Sequence, residues 1–331
     1  MEEQNIKIDD GIQNQIQPEG KGEEKEIIGI IVVDKPEGKT STQIDNLIKR
    51  KLRVKVGHIG TIDPFASGVL PIAIGRATKF IPYLIDKDRE YIAEILLGKR
   101  TDTDDITGRE IYSIDESDVK KLSLKQIEEV VKSFEGIIEQ VPPYYSAKKY
   151  MGKPLYEWAR EGKLLELQPK RVTIYSIEIL GISLPSIKLK ILSSSGMYVR
   201  ALARDIGEKL TINGKKVGGT LKSLRRIRCG HFTEKDAIPF EAIKQTSADQ
   251  LKKYIREVTP ELLDMRKIVI RGQDIQRVMS GAPPKFKVQG NNGEKVILAD
   301  DTGKIIAIGE IKKGIVQIKR VVASTIPTFH R

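Results

Sequence analysis

The sequence predicts an α+β protein, a large mixed domain followed by a small β domain, and three observations carry that prediction. Apolar β-branched runs at residues 27–33 and 90–97 read as strands, and segments 124–134 and 198–210 carry the apolar spacing of amphipathic helices. Beyond Met265 the texture changes to short alternating strands broken by turn words such as Asn292-Gly293 and Asp301-Thr302-Gly303, a hairpin density that implies a small β unit. At 331 residues the chain exceeds one typical core. We therefore expect an acidic extension at 1–26, a main domain at 27–264 and a β domain at 265–331.

Charge narrows the class of partner. The chain carries +12 overall but −5 over residues 1–26, where eight acidic residues meet Lys7, Lys21 and Lys25, which leaves +17 on residues 27–331. A body so basic suits a polyanion and steers it, although a solvated basic face is the bland alternative. No run of eighteen apolar residues occurs and the start lacks a basic-then-apolar pattern, so we expect neither a membrane span nor secretion, and place the protein in the cytoplasm. Cys229 is the single cysteine, which excludes an internal disulfide, and three histidines without paired spacing argue against a metal site.

In chain order, residues 1–26 are rich in Glu, Gln and Gly and are expected to stay disordered. The 27–33 strand is broken by a turn at 34–41, and Ser41 or Thr42 caps a helix with Ile44, Leu47 and Ile48 on one face. The next stretch, from Gly57 around Asp63, reads as a rigid loop, and Ala73 to Leu84 after it reads as a helix or turn. Asp63 is the sole acidic residue between Asp45 and Asp86 there, set among Gly, Thr, Pro and aliphatic side chains. Pro64 steers it from helical backbone angles, and Gly57, Gly60 and Gly68 allow tight turns. An Asp before a proline is ordinarily a turn residue; a phosphate-loop reading is weaker, since the glycine spacing differs and no Gly-Lys-Ser/Thr follows.

The whole word from Gly57 to Pro71, however, closely resembles the signature of the TruB family of tRNA pseudouridine synthases. The resemblance implies that Asp63 is catalytic, and it implies a pseudouridine synthase fold with a central mixed, largely antiparallel sheet, an RNA-clamping insertion and a PUA-like C-terminal domain. Residues 33–41, with Lys35, look like the family motif that braces the catalytic loop; Lys35 is either a contact residue or an exposed turn lysine. Tyr91, at the start of the 90–97 strand, matches the tyrosine that packs on the target base. Ser194 to Arg200 matches the motif that brings Arg200 to the Asp, with Tyr198 in the same word. Leu224-Arg225-Arg226 repeats the family's Leu-Arg-Arg, with Leu224 as an apolar pocket wall, and His58 is the residue expected to fill the space left by the extruded base.

The remaining stretches are read from their residues. Asp102, Asp104 and Asp105 lack the glycine and distal glutamate of a calcium loop and are taken as an exposed loop. Residues 110–170 look like an insertion. Within it and just beyond, seven basic residues between Lys148 and Arg171 meet three acidic ones, interleaved with Tyr144, Tyr145, Tyr150, Tyr156 and Trp158, a surface suited to RNA. Strands are expected at 171–182 and 187–193. From Thr211 to His231 there are six basic residues and no acidic one, including Arg225 and Arg226, a second candidate for phosphate contacts. A few extra residues near Asn213 to Gly219 depart from the family pattern.

Together these motifs imply an isomerase acting on uridine 55 in the T loop of tRNA, through Asp63, Tyr91 and Arg200. His58, Tyr198, Leu224, Lys35, Lys148, Arg225 and Arg226 are the expected substrate contacts. No metal or other cofactor, no guide RNA and no obligate protein partner are expected, and the chain should act as a monomer. Two alternatives remain: a guide-RNA-dependent dyskerin-type synthase, against which the 110–170 insertion argues, and a non-catalytic RNA-binding or tRNA-folding chaperone.

Overall fold

The computed structural model describes residues 26–146, 149–163 and 165–323, with backbone alone for Lys149, Tyr156 and Arg160. The acidic extension up to residue 25 and Lys148 thus lie outside the described residues. Among these, no helix is long and apolar enough to cross a membrane.

The main sheet is built from β1 (Gly29–Lys35), β2 (Val56–His58), β3 (Ser67–Ile74), β4 (Arg89–Leu97), β5 (Gly136–Gln140), β6 (Lys170–Ser183), β7 (Ser186–Ser193), β8 (Gly219–Cys229) and β9 (Ile238–Pro239), with a short Phe232–Thr233 strand beside β8. Its order is β9-β1-β3-β8-β4-β7-β6-β5, with β2 alongside β3. Only β1–β9 and β3–β8 run parallel, so the sheet is mixed and largely antiparallel. Along β4 the side chains alternate between buried and half-buried, which puts Tyr91, Ala93, Ile95 and Leu97 on the core face with Arg89 at the strand's start.

Three helices pack beside the sheet. α1 (Ser41–Leu52) buries Ile44, Ile48 and Leu52; its cap is Thr40, ahead of the expected Ser41 or Thr42, closed by Gln43 in a reciprocal capping box. α2 (Leu124–Lys132) sets Ile127 and Val131 into the main core. α3 (Val199–Lys209) lies so close to β8 that a Cβ on Gly207 would come within 2.0 Å of the Gly219 nitrogen, which explains a glycine there.

One expectation needs correction here. Residues 67–74 are neither loop nor helix but a central strand, almost wholly buried. Pro71 is tolerated because it sits where the strand changes neighbours, from β8 at Ser67 and Gly68 to β2 at Ile72 to Ile74. Within the 110–170 stretch, β5 extends the main sheet and α2 packs on it.

The C-terminal part forms its own four-stranded sheet from β10 (Arg266–Val269), β11 (Lys295–Ala299), β12 (Ile305–Lys312) and β13 (Ile315–Val321). One face, through Ile297, Ala299 and Ile308, shares a core with Ile30, Val32 and Val69 of the main sheet; the other covers Ile275 and Val278 of a short helix.

Candidate active site

Asp63 sits in the loop between β2 and β3, and that loop is bonded on every side. The Ser41 hydroxyl accepts from the Ile62 amide and donates to its carbonyl, at 3.1 and 3.3 Å. Gly38 donates its amide to the Pro64 carbonyl at 2.8 Å, and the Lys35 ammonium donates to the carbonyls of Pro36, Lys39 and Pro64. Lys35 is therefore fully buried, neither an exposed turn lysine nor a substrate contact. Burial lowers its pKa to about 8, partly offset by the Asp63 and Glu37 carboxylates. Downstream, Gly68 adopts φ of +110°, and a Cβ there would meet the Arg226 carbonyl at 2.2 Å, so only glycine lets the loop enter β3 beside β8.

The first turn of α3 presents Arg200 to this carboxylate. Its Nε and Nη2 reach the two Asp63 oxygens at 2.9 and 3.1 Å, a bidentate pair. The guanidinium is 5% exposed and the Asp63 side chain 33%, so the arginine is the buried anchor and the carboxylate faces the cavity. Further donors are consumed by the carbonyls of Thr103 and Tyr145, both at 3.0 Å, and Asp105 stands 3.6 Å away. Arg200 is thereby held in one orientation.

Asp63, Tyr91, Tyr198, Arg200 and Leu224 line one pocket of about 390 Å³. Burial pushes the Tyr91 phenol up, opposed by the Arg226 and Arg89 guanidiniums beside it, and burial likewise pushes the Tyr198 phenol up. The other expected contacts differ in setting. Arg226 also lines this pocket, and its buried guanidinium is braced by main chain, with Nε on the Val69 carbonyl at 2.8 Å and Nη2 on the Gly60 carbonyl at 3.0 Å. Arg225 is partly exposed and grips both oxygens of Asp34 at 3.0 Å and Glu234 at 2.6 Å. His58 lies outside the pocket wall, with Nδ1 2.7 Å from Asp45 and Nε2 3.0 Å from the Thr61 hydroxyl.

Sequence reasoning missed the acidic partners of the arginines. Asp104 and Asp105 are 6% and 4% exposed, not an open loop: Asp104 takes a left-handed φ of 60° and meets Arg204 at 3.1 Å, while Asp105 accepts from Thr103 and Thr107 and faces Arg200. The signal was present, since Arg200 and Arg204 share a helix face and need carboxylates. Arg89, buried in the pocket wall beside Tyr91, was also missed. Among the described residues no group of three or more metal-ligating side chains is assembled.

The sequence model of the TruB family pseudouridylate synthase N-terminal domain matches residues 47–199, a span that holds Asp63 and Tyr91 and stops one residue before Arg200. tRNA pseudouridine synthase B of Clostridium kluyveri is 39% identical over 254 residues, covering 76% of this chain and 84% of that protein. The chain belongs to the TruB family. A second member, tRNA pseudouridine synthase B of Francisella philomiragia, is 37% identical over 289 residues, or 86% of this chain and 92% of its own length. In three dimensions the family fold extends to the archaeal box H/ACA sRNP Nop10–Cbf5 complex, with a TM-score of 0.66 at 24% identity over 89% of this chain and 86% of that one. That likeness concerns the fold alone.

Proposed function

We propose that this chain isomerises uridine to pseudouridine in tRNA, at position 55 of the T loop, with Asp63 as the catalytic carboxylate. The observation that carries the reading is the Asp63–Arg200 pair in a 390 Å³ pocket that also presents Tyr91 and Leu224. Relatives named tRNA pseudouridine synthase B support it.

The chemistry fits so small a set of groups. The N1–C1′ bond breaks, the detached uracil turns, C5 bonds to C1′, and the proton leaving C5 is balanced by one gained at N1. Nothing is oxidised and no group donor is consumed, so the reaction calls for no cofactor. Glycosidic cleavage develops positive charge on the ribose, and a fixed carboxylate stabilises it or adds to it. Hydrolytic glycosidases typically need two carboxylates because one must activate water; here the returning nucleophile is the uracil itself. Arg200 orients Asp63, Tyr91 offers a ring face to the uracil, and Leu224 closes the apolar side. The Tyr91 phenol is the candidate for removing the C5 proton, and the guanidiniums of Arg226 and Arg89 ease its ionisation against the cost of burial.

The target base must leave its loop to reach the pocket. In this reading His58, whose ring is held by Asp45, fills the vacated space in the loop. Lys148 and the aromatic-laced 141–169 segment would hold the stem-loop, joined to the site through the Tyr145 carbonyl on Arg200. In this reading the protein works in the cytoplasm as a monomer, without guide RNA or an obligate protein partner.

Tritium release from unmodified tRNA carrying 5-tritiated uridine, with purified protein and no guide RNA, tests the proposal. Release of one tritium per tRNA is expected, lost when uridine 55 is replaced by cytidine. Binding without release would leave an RNA-binding or folding role, and release only after a guide RNA is added would make it a guide-dependent synthase.

A further inference from the structure

The basic run at 215–228 is largely spent on internal pairs. Lys216 meets Glu208 and Lys222 meets Glu94, both at 2.7 Å; Arg228 faces Glu90 at 3.5 Å, Arg225 holds two carboxylates and Arg226 is buried. A cluster of cations without carboxylate partners among the described residues lies on and around α1 instead. Its outward face, with Lys39 just before it, forms one wall of a groove of about 790 Å³ in which Lys39, Lys49, Arg50 and Arg53 converge with Lys244 over a floor that includes Phe240. None of the lining residues is acidic. Lys39, Lys49, Arg50 and Arg53 are exposed, and among the described residues none of the four side chains has a carboxylate partner.

Cations near a helix C-terminus complement its dipole, which would account for Lys49, Arg50 and Arg53 alone. It does not account for Lys39, which enters from the turn before the helix with no carboxylate partner; Lys244, on the opposite wall, is paired with Glu241 at 2.7 Å. The groove is also mechanically tied to the catalytic loop. Its rim residue Lys39 accepts from Lys35 at 2.7 Å, and Gly38 beside it donates to Pro64, the neighbour of Asp63, at 2.8 Å.

We propose that this groove binds the phosphate backbone of the same RNA outside the nucleotide held in the pocket. The inference rests on the tRNA reading above and adds a second, purely electrostatic contact to it. Each phosphate neutralised releases counterions, so each contact steepens the fall of log affinity with log salt by roughly 0.7–0.9. Equilibrium binding of unmodified tRNA by the full chain should be titrated with salt for wild type and three variants. Lys39→Gln/Lys49→Gln/Arg50→Gln should flatten the slope by about two. Lys39→Arg/Lys49→Arg/Arg50→Lys, which keeps the charge, should retain the wild-type slope. Lys215→Gln/Lys216→Gln/Lys222→Gln should also stay near wild type. An unchanged slope in the first variant, or flattening in the second or third that equals it, overturns the proposal. Binding is read without turnover, so a protein that forms no pseudouridine but binds through the groove would sink the enzymatic reading and leave the groove standing.

Discussion

Arg200 grips both carboxylate oxygens of Asp63, at 2.9 and 3.1 Å, across 137 residues of sequence. The planar fork of a guanidinium matches a carboxylate in a way that a lysine ammonium does not, and its remaining donors are occupied by Thr103 and Tyr145. Arg200→Lys should therefore lose orientation as well as one of the two bonds. We expect single-turnover pseudouridine formation to fall by about 100-fold or more, as for loss of a preorganised donor, with tRNA affinity within a few fold. Near wild-type turnover would show that the pair is structural.

Asp105 supports this anchor from behind. Its Oδ2 is 3.6 Å from Arg200, and its Oδ1 accepts from the Thr103 hydroxyl and from Thr107. Asp105→Asn removes a buried charge facing Arg200, so turnover should drop while the half-saturating tRNA concentration stays put. Its stability should fall by about 1–3 kcal/mol, read by denaturant unfolding; an active, unshifted variant would contradict this assignment.

Tyr91 separates stacking from proton transfer. Tyr91→Phe keeps the ring and removes a phenol that burial holds neutral at ordinary pH. If that oxygen takes the C5 proton, turnover should fall by about 100-fold. The wild-type rate should also rise with pH above neutrality, while the Phe variant's stays flat. Equal rates and equal pH profiles would leave Tyr91 a stacking role only.

Lys35 sets a pH dependence of stability. Its pKa of about 8 in the folded protein lies below the usual 10.5, because of burial. Between these values the unfolded chain binds a proton that the folded one has lost, so stability rises with pH there. The penalty for a charged Lys35 is complete below about pH 8. Against Lys35→Met, the wild type should gain up to about 1.4 kcal/mol per pH unit through this window. Parallel stability curves from pH 8 to pH 10.5 would contradict it.

How legible the molecule was depended on whether the cause was local. The alternation of β4 and the glycine-punctuated C-terminal strands are local patterns, and both were readable. Asp63 stood out because a lone carboxylate among glycines and prolines is chemically odd, and a family word surrounded it. The strand at 67–74 was hidden because Gly68 and Pro71 are strand breakers unless β8 and β2 divide its two halves between them. Lys35, Arg226 and Asp104 each looked like surface charges. Each takes at least one partner distant in sequence, Pro64 for Lys35, Val69 and Gly60 for Arg226 and Arg204 for Asp104, which no window of a dozen residues displays.

The central claim, that the Asp63 carboxylate performs the chemistry, is tested most directly by single-turnover tritium release from saturating unmodified tRNA with Asp63→Asn. The substitution preserves shape and removes the charge. The account predicts no detectable pseudouridine with tRNA affinity within a few fold of wild type, since phosphate contacts elsewhere dominate binding. A variant that retains most of the wild-type rate would contradict it.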